Sequence, residues 1–243
     1  MLCEALTQVP HSLVFNEPNI AFRRFVVRGK ETELLLQQGI ELRAFVRHWS
    51  VLRRRFLLYG FKTSLVPRVC ESFSQVGIKE IFHANWRKIY TRFPNLRIVL
   101  TARDPRDIYL SLRGRHLSGA AIWSGEFSTA RVAEKLNEEF RYQQEMAQLM
   151  PVLKIRYEDL CSEPGNFQRV LDFVESDITR IGPLGEFLNS DPNRVEESRI
   201  HGGEITDRRV ARWKNEAEDE LIDQAFQVFR QMPEYCDYWE YAE

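Results

Sequence analysis

The sequence predicts an α/β protein: three layers, α/β/α, on a mainly parallel central sheet. LRIVLTA at 96–102 and VLKIRY at 152–157 are nearly continuous apolar runs, the pattern of strands covered on both faces. Segments with helical apolar spacing alternate with strand-like runs, as in a wound parallel sheet. The chain also has no internal repeat, low-complexity tract or Gly/Ser linker, which predicts one domain over residues 1–243.

The elements follow in order. Met1 to Thr7 reads as the body of a helix, with Leu2 and Leu6 four apart and Pro10 beyond. SLVF at 12–15 is a short strand, closed by Asn16-Glu17-Pro18. Residues 31–59 are helical in pattern, with Leu34, Leu35, Ile40, Phe45, Trp49 and Leu52 set among charges. Arg43, Arg47, His48 and the run Arg53-Arg54-Arg55 make this stretch basic, either a solvated face or a patch for an acidic partner. Phe56–Phe61 and Gln75–Ile78 are strand candidates, with a helix over Leu65–Phe73 between them and another over Phe82–Phe93. Helices are expected from Pro105 and over about Thr129–Leu149. After the strand at 152–157, Ser162 is a candidate cap for a helix with Phe167, Val170, Leu171 and Val174 on one face. A polar loop (189–208) leads to a final helix, Glu216 to Met232.

Composition narrows the function classes. With 44% hydrophobic and 12% aromatic residues the chain can bury a full core. The 34 basic and 35 acidic residues leave a net charge of −1, so no bulk field draws in nucleic acid or an anionic membrane. No apolar run approaches a membrane span, and the first residues have no signal-peptide pattern. Cys3, Cys70, Cys161 and Cys236 are widely spaced and predict reduced, mostly buried thiols in a cytoplasmic protein. No Cys/His pair has metal-ligand spacing.

In open α/β sheets ligands bind off the carboxyl ends of the strands. After LRIVLTA comes Arg103-Asp104-Pro105-Arg106-Asp107, with Ser111 farther on. Helix capping explains three of these: Asp104 as N-cap, Pro105 at N1 and Asp107 at N3. It does not explain Arg103, a permanent cation beside a helix N-terminus, a setting suited to phosphate.

Here the sequence resembles the sulfotransferase superfamily, whose fold is P-loop NTPase-like and whose donor is 3′-phosphoadenosine 5′-phosphosulfate. The strand, RDPRD and Ser111 look like its 3′-phosphate motif, so the resemblance implies that Arg103 and Ser111 hold that phosphate. Arg156-Tyr157-Glu158-Asp159-Leu160 resembles a second motif. It implies Tyr157 near the adenine, with Glu158 and Asp159 holding the loop; the alternative for Tyr157 is a half-buried strand-end aromatic. TDRRVARWK at 206–214 resembles the late S-x-G-R-W-R/K segment, with Ala211 where Gly is usual. It makes Arg209 and Arg212 donor-side candidates, and Trp213 reads as a core anchor. Gly77-Ile78-Lys79, a helix and Phe93-Pro94-Asn95-Leu96-Arg97 look like the lysine-bearing strand end and F-P-x-x-R. The implied role of Lys79 is to touch the sulfuryl and bridging oxygens, with Lys62 a weaker rival. Phe15-Asn16-Glu17-Pro18 is similar to the G/N-E-x segment of the tyrosylprotein and many bacterial sulfotransferases. Glu17 would then be the base, its alternative role being to cap a turn.

The P-K/R-S/T-G-T-T loop of the family does not occur in these residues, nor does a G-x-x-x-x-G-K. The expectation is therefore a domain short at its front by a strand and its phosphosulfate loop, impaired as truncated. The predicted activity is sulfuryl transfer to a hydroxyl or amine of a small-molecule or carbohydrate acceptor, with no metal and no nucleic-acid partner. The alternatives are a non-catalytic nucleotide-binding or scaffold member of the same fold, and a P-loop-type small-molecule kinase.

Overall fold

The structure, a computed structural model, describes residues 6–7, 11–18, 21, 24–42, 55–57, 66–91, 93, 95–119, 126–163, 165–175, 210–215 and 218–243. Its contacts divide the chain into two units, Met1–Leu96 with Glu175–Ile205 and Arg97–Val174 with Thr206–Glu243. Each carries helices and one parallel strand pair, so the chain is α/β.

In the first unit β1 (Ser12–Asn16) runs parallel to β4 (Gln75–Lys79), from Ser12↔Gln75 to Asn16↔Lys79. A Cβ on Gly77 would meet Val14 Cγ2 at 3.2 Å, so the glycine lets the two strands close up. A short antiparallel pair, β2 (Arg24–Val26) with β3 (Arg55–Leu57), joins them in this unit. Leu13, Phe15, Phe25, Val27, Leu35, Ile40 and Val69 are fully or almost fully buried in one cluster. Phe15 meets Phe25 edge to face at 5.1 Å.

The helix α1 covers Gly29–Gln37. The helix expected over 31–59 is therefore corrected. Gly39 takes φ +71, and Ile40 N–H folds back onto the Leu35 carbonyl at 2.9 Å, closing the helix after two turns. Arg55–Leu57 is strand, while Phe45, Trp49 and Leu52 lie outside the described residues. The helix α2 (Val66–Ser72) matches expectation. The expected helix Phe82–Phe93 contracts to α3 (Trp86–Tyr90), because Asn85 sits at φ +71, where no helix continues. Of the helix expected over Met1 to Thr7, only Leu6 and Thr7 are described.

In the second unit β5 (Ile98–Ala102) runs parallel to β6 (Val152–Arg156), from Ile98↔Val152 to Ala102↔Arg156. The helix α4 (Pro105–Leu117) starts as its sequence dictates, with the Asp104 carboxylate accepting from Arg106 N–H at 2.9 Å. The helix α5 (Thr129–Leu149) is capped by Ser128 and buries Val132, Ala133, Phe140 and Met146. Ser162 proves to be the last residue of a short helix, α6 (Tyr157–Ser162), and not an N-cap. The next helix, α7 (Gly165–Val174), buries Phe167, Val170 and Leu171 as its spacing predicted. A one-turn helix, α8 (Arg212–Asn215), precedes α9 (Asp219–Arg230), which packs on α4 and α5. The final helix expected over 216–232 is α9, and Pro233, which has no N–H to donate, opens one more helix beyond it, α10 (Pro233–Trp239).

Of the three described cysteines only Cys236 is buried; Cys70 is exposed and Cys161 half-buried, which corrects the expectation of mostly buried thiols. Among the described residues no helix is long and apolar enough to cross a membrane.

Candidate functional site

The carboxyl ends of β1 and β4 bring two sequence-predicted residues together. Asn16 and Lys79 are register partners, and Glu17 N–H continues the ladder onto the Lys79 carbonyl at 2.7 Å. Glu17 then turns into the left-handed region, φ +51. There its carboxylate accepts a short hydrogen bond from the Lys79 ammonium. Arg28 Nη2 lies 3.5 Å from the other carboxylate oxygen. Glu17, Lys79 and Arg28 keep 33%, 38% and 46% side-chain exposure. An exposed ion pair adds little stability. This cluster at a strand-end ligand edge therefore reads as site geometry.

Two residues that the motifs do not mark hold that turn. Glu31 is buried, and its two oxygens accept from Asn16 N–H at 2.6 Å and Arg28 N–H at 2.7 Å. Arg28 Nε donates to the Asn16 carbonyl at 2.7 Å. Burial pushes the Glu31 carboxyl above its ordinary range, and the two backbone donors and Arg28 pull it back. A Glu at the third helical position was the available sequence signal, since it marks a capping box. Lys62 lies outside the described residues.

The second unit gathers other sequence-predicted residues at the carboxyl ends of β5 and β6. Ala102 and Arg156 are register partners, so Arg103 and Tyr157 follow their strands side by side. The Arg103 guanidinium stands 4.8 Å from the Tyr157 ring centre, a cation–π contact. Its Nη2 reaches the fully buried Asp107 carboxylate at 3.4 Å. Burial raises the Asp107 pKa, opposed by Arg103 and by a hydrogen bond from Trp213 N–H at 3.3 Å. Ser111 is half-buried one turn beyond Asp107, on the same face of α4. Arg212 opens α8, which packs against α4. Arg209 lies outside the described residues.

The acidic residues of the second motif act on the backbone and on a neighbouring cation. Glu158 Oε1 accepts from Asp104 N–H at 2.9 Å, and its Oε2 accepts from Tyr241 Oη at 2.8 Å. Asp159 holds Arg156 through two bonds of 2.8 and 2.9 Å. Arg106 is buried: it pairs with Asp104 and stacks 4.0 Å from the Trp213 ring centre. Trp213 also meets Phe226 edge to face at 5.2 Å, an anchoring position between α4 and α9. Ala211 has φ +54, which explains why glycine suits this place.

Among the described residues no group of three or more His, Cys, Asp and Glu is arranged to hold a metal ion. No curated protein matches the chain at a significant level. The sequence profile described as the Sulfotransferase family matches residues 14–180, a span that holds Glu17, Lys79, Arg103, Ser111 and Tyr157. With more than half of its length matched, and with an α/β fold that carries these residues at strand ends, the chain belongs to the sulfotransferase family.

Proposed function

We propose that the protein transfers a sulfuryl group from 3′-phosphoadenosine 5′-phosphosulfate to a hydroxyl or amine of its acceptor. The observation that carries this reading is the Glu17–Lys79 pair at the carboxyl ends of β1 and β4. A base and a cation side by side are what an in-line displacement at sulfur needs.

In the proposed step the acceptor oxygen or nitrogen attacks sulfur, and the bond from sulfur to the phosphate oxygen breaks. The acceptor proton passes to the Glu17 carboxylate, a contribution of ~10²–10⁴-fold for a positioned base. The electron pair of the broken bond stays on the leaving phosphate, where Lys79 neutralises it. The ion pair keeps both groups in one place, and the donor exchanges Lys79 from Glu17 to its own oxygens. As in phosphoryl transfer, the protein's work is positioning and charge stabilisation.

The donor side of the reading rests on the second unit. Arg103 and Ser111 hold the 3′-phosphate, Tyr157 lies near the adenine, and Arg209 and Arg212 are further donor contacts. Support comes from a guanidinium at a strand end beside the N-terminus of a thirteen-residue helix. Calorimetry with 3′,5′-bisphosphoadenosine tests it. Arg103→Ala is expected to weaken binding about 10–100-fold, as loss of a charge-assisted hydrogen-bond pair does. Unchanged affinity would remove Arg103 from the site. The kinase alternative requires magnesium-dependent ATP hydrolysis, and the scaffold alternative requires nucleotide binding with no transfer to any acceptor.

A further inference from the structure

Residues 233–243 reach back to the strand end that carries Arg103. Tyr235 is 5% exposed, and its hydroxyl bridges the Arg103 backbone: it accepts from Arg103 N–H at 3.2 Å and donates to the Arg103 carbonyl at 2.9 Å. Tyr241 stacks on Tyr235, with ring centres 6.1 Å apart and planes 12° from parallel. Its hydroxyl holds Glu158, which in turn holds Asp104 N–H. Arg106 Nη2 donates to the Ala242 carbonyl at 2.8 Å, and Arg156 Nη1 to the Glu240 carbonyl at 3.2 Å. Six hydrogen bonds thus fix residues 103–104 and their neighbours from one short segment and Glu158.

A hydroxyl that accepts from the N–H and donates to the carbonyl of one residue ties down the two peptide units on either side of its Cα. The direction in which the Arg103 side chain leaves the strand follows from it. We infer that Tyr235, with Tyr241 behind it, is a positioning residue: the pair aims Arg103 at the 3′-phosphate and so sets the preference for nucleotides that carry one. The inference rests on the proposed donor role of Arg103. Neither tyrosine belongs to the motifs around Arg103 and Tyr157, and Tyr235 lies 132 positions from the residue it holds.

The test compares the Kd of adenosine 5′-phosphate with that of 3′,5′-bisphosphoadenosine, two ligands that differ in the 3′-phosphate alone. The ratio of the two constants measures what that phosphate contributes. Tyr235→Phe keeps the ring and removes both hydrogen bonds, and it is expected to lower the ratio about five- to tenfold, the worth of one to two hydrogen bonds. A purely structural loss would weaken both ligands alike and leave the ratio in place, which would overturn the inference. If Tyr235→Phe does not fold, Tyr241→Phe serves instead, with a smaller drop of about two- to fivefold expected and an unchanged ratio again decisive against. A wild-type ratio near one would overturn the donor assignment itself, and this inference with it.

Discussion

Glu31 is the residue on which the proposed base depends. Its two oxygens each accept one backbone N–H, from Asn16 and from Arg28. Glu31→Gln leaves one acceptor and turns an amide donor toward the other N–H. The expected cost is about 1–3 kcal/mol, that of a buried donor without a partner, measured by urea denaturation. Transfer activity should fall further than stability does, because the left-handed turn at Glu17 loses its anchor. At Ala211 the opposite change is expected. A residue with a Cβ at φ +54 is strained by about 1–2 kcal/mol, and Ala211→Gly should return about 0.5–1 kcal/mol of that after its own entropy cost. A loss of stability in Ala211→Gly would contradict the left-handed assignment.

Among the elements, α4 and α6 are locked together at the carboxyl ends of β5 and β6. The Asp104 cap starts α4, and Glu158, from the first turn of α6, fixes the peptide just before it. Burial raises the Glu158 carboxyl above its ordinary 4.5, while the Asp104 N–H and the Tyr241 hydroxyl draw it back. A carboxyl raised on folding binds its proton more tightly in the native state. Its contribution to stability is therefore present at low pH and is lost as pH climbs from 4.5 through the raised value. Tyr241→Phe removes one of the bonds that limit this loss. It should cost about 1–2 kcal/mol at pH 7 and clearly less at pH 4, as read from denaturation at the two values. An equal cost at both would mean that Tyr241 does not stabilise the charged form.

At the scale of the whole chain, what the sequence made legible was local. The runs LRIVLTA and VLKIRY fold as a parallel pair, and the Asp104-Pro105 start of α4 is a local hydrogen-bond signal that the structure repeats. Glu17 and Lys79, 62 residues apart, were marked only by the resemblance of their two short segments to family motifs, and no spacing links them. What escaped had either an overriding backbone signal or none. Gly39 and Asn85 break helical patterns that apolar spacing alone extends, since a left-handed residue ends a helix whatever face follows. Tyr235 lies in a segment whose local pattern is that of an ordinary helix, and nothing near it in sequence points to Arg103. A bond spanning 132 positions leaves no trace in spacing. Arg28 belongs to no motif, and only the fold, which brings it onto the Asn16 carbonyl, makes it a partner of Glu17.

The central claim is that Glu17 and Lys79 perform sulfuryl transfer. Its most direct test is release of 3′,5′-bisphosphoadenosine from the phosphosulfate donor, followed by mass spectrometry with a panel of hydroxyl and amine acceptors. The account predicts acceptor-dependent release with the matching acceptor gaining one sulfuryl group, and a fall of ~10²–10⁴-fold in Glu17→Gln with nucleotide affinity retained. Release at the same rate in Glu17→Gln, or no sulfated product with any acceptor from a folded chain that binds the nucleotide, would contradict it.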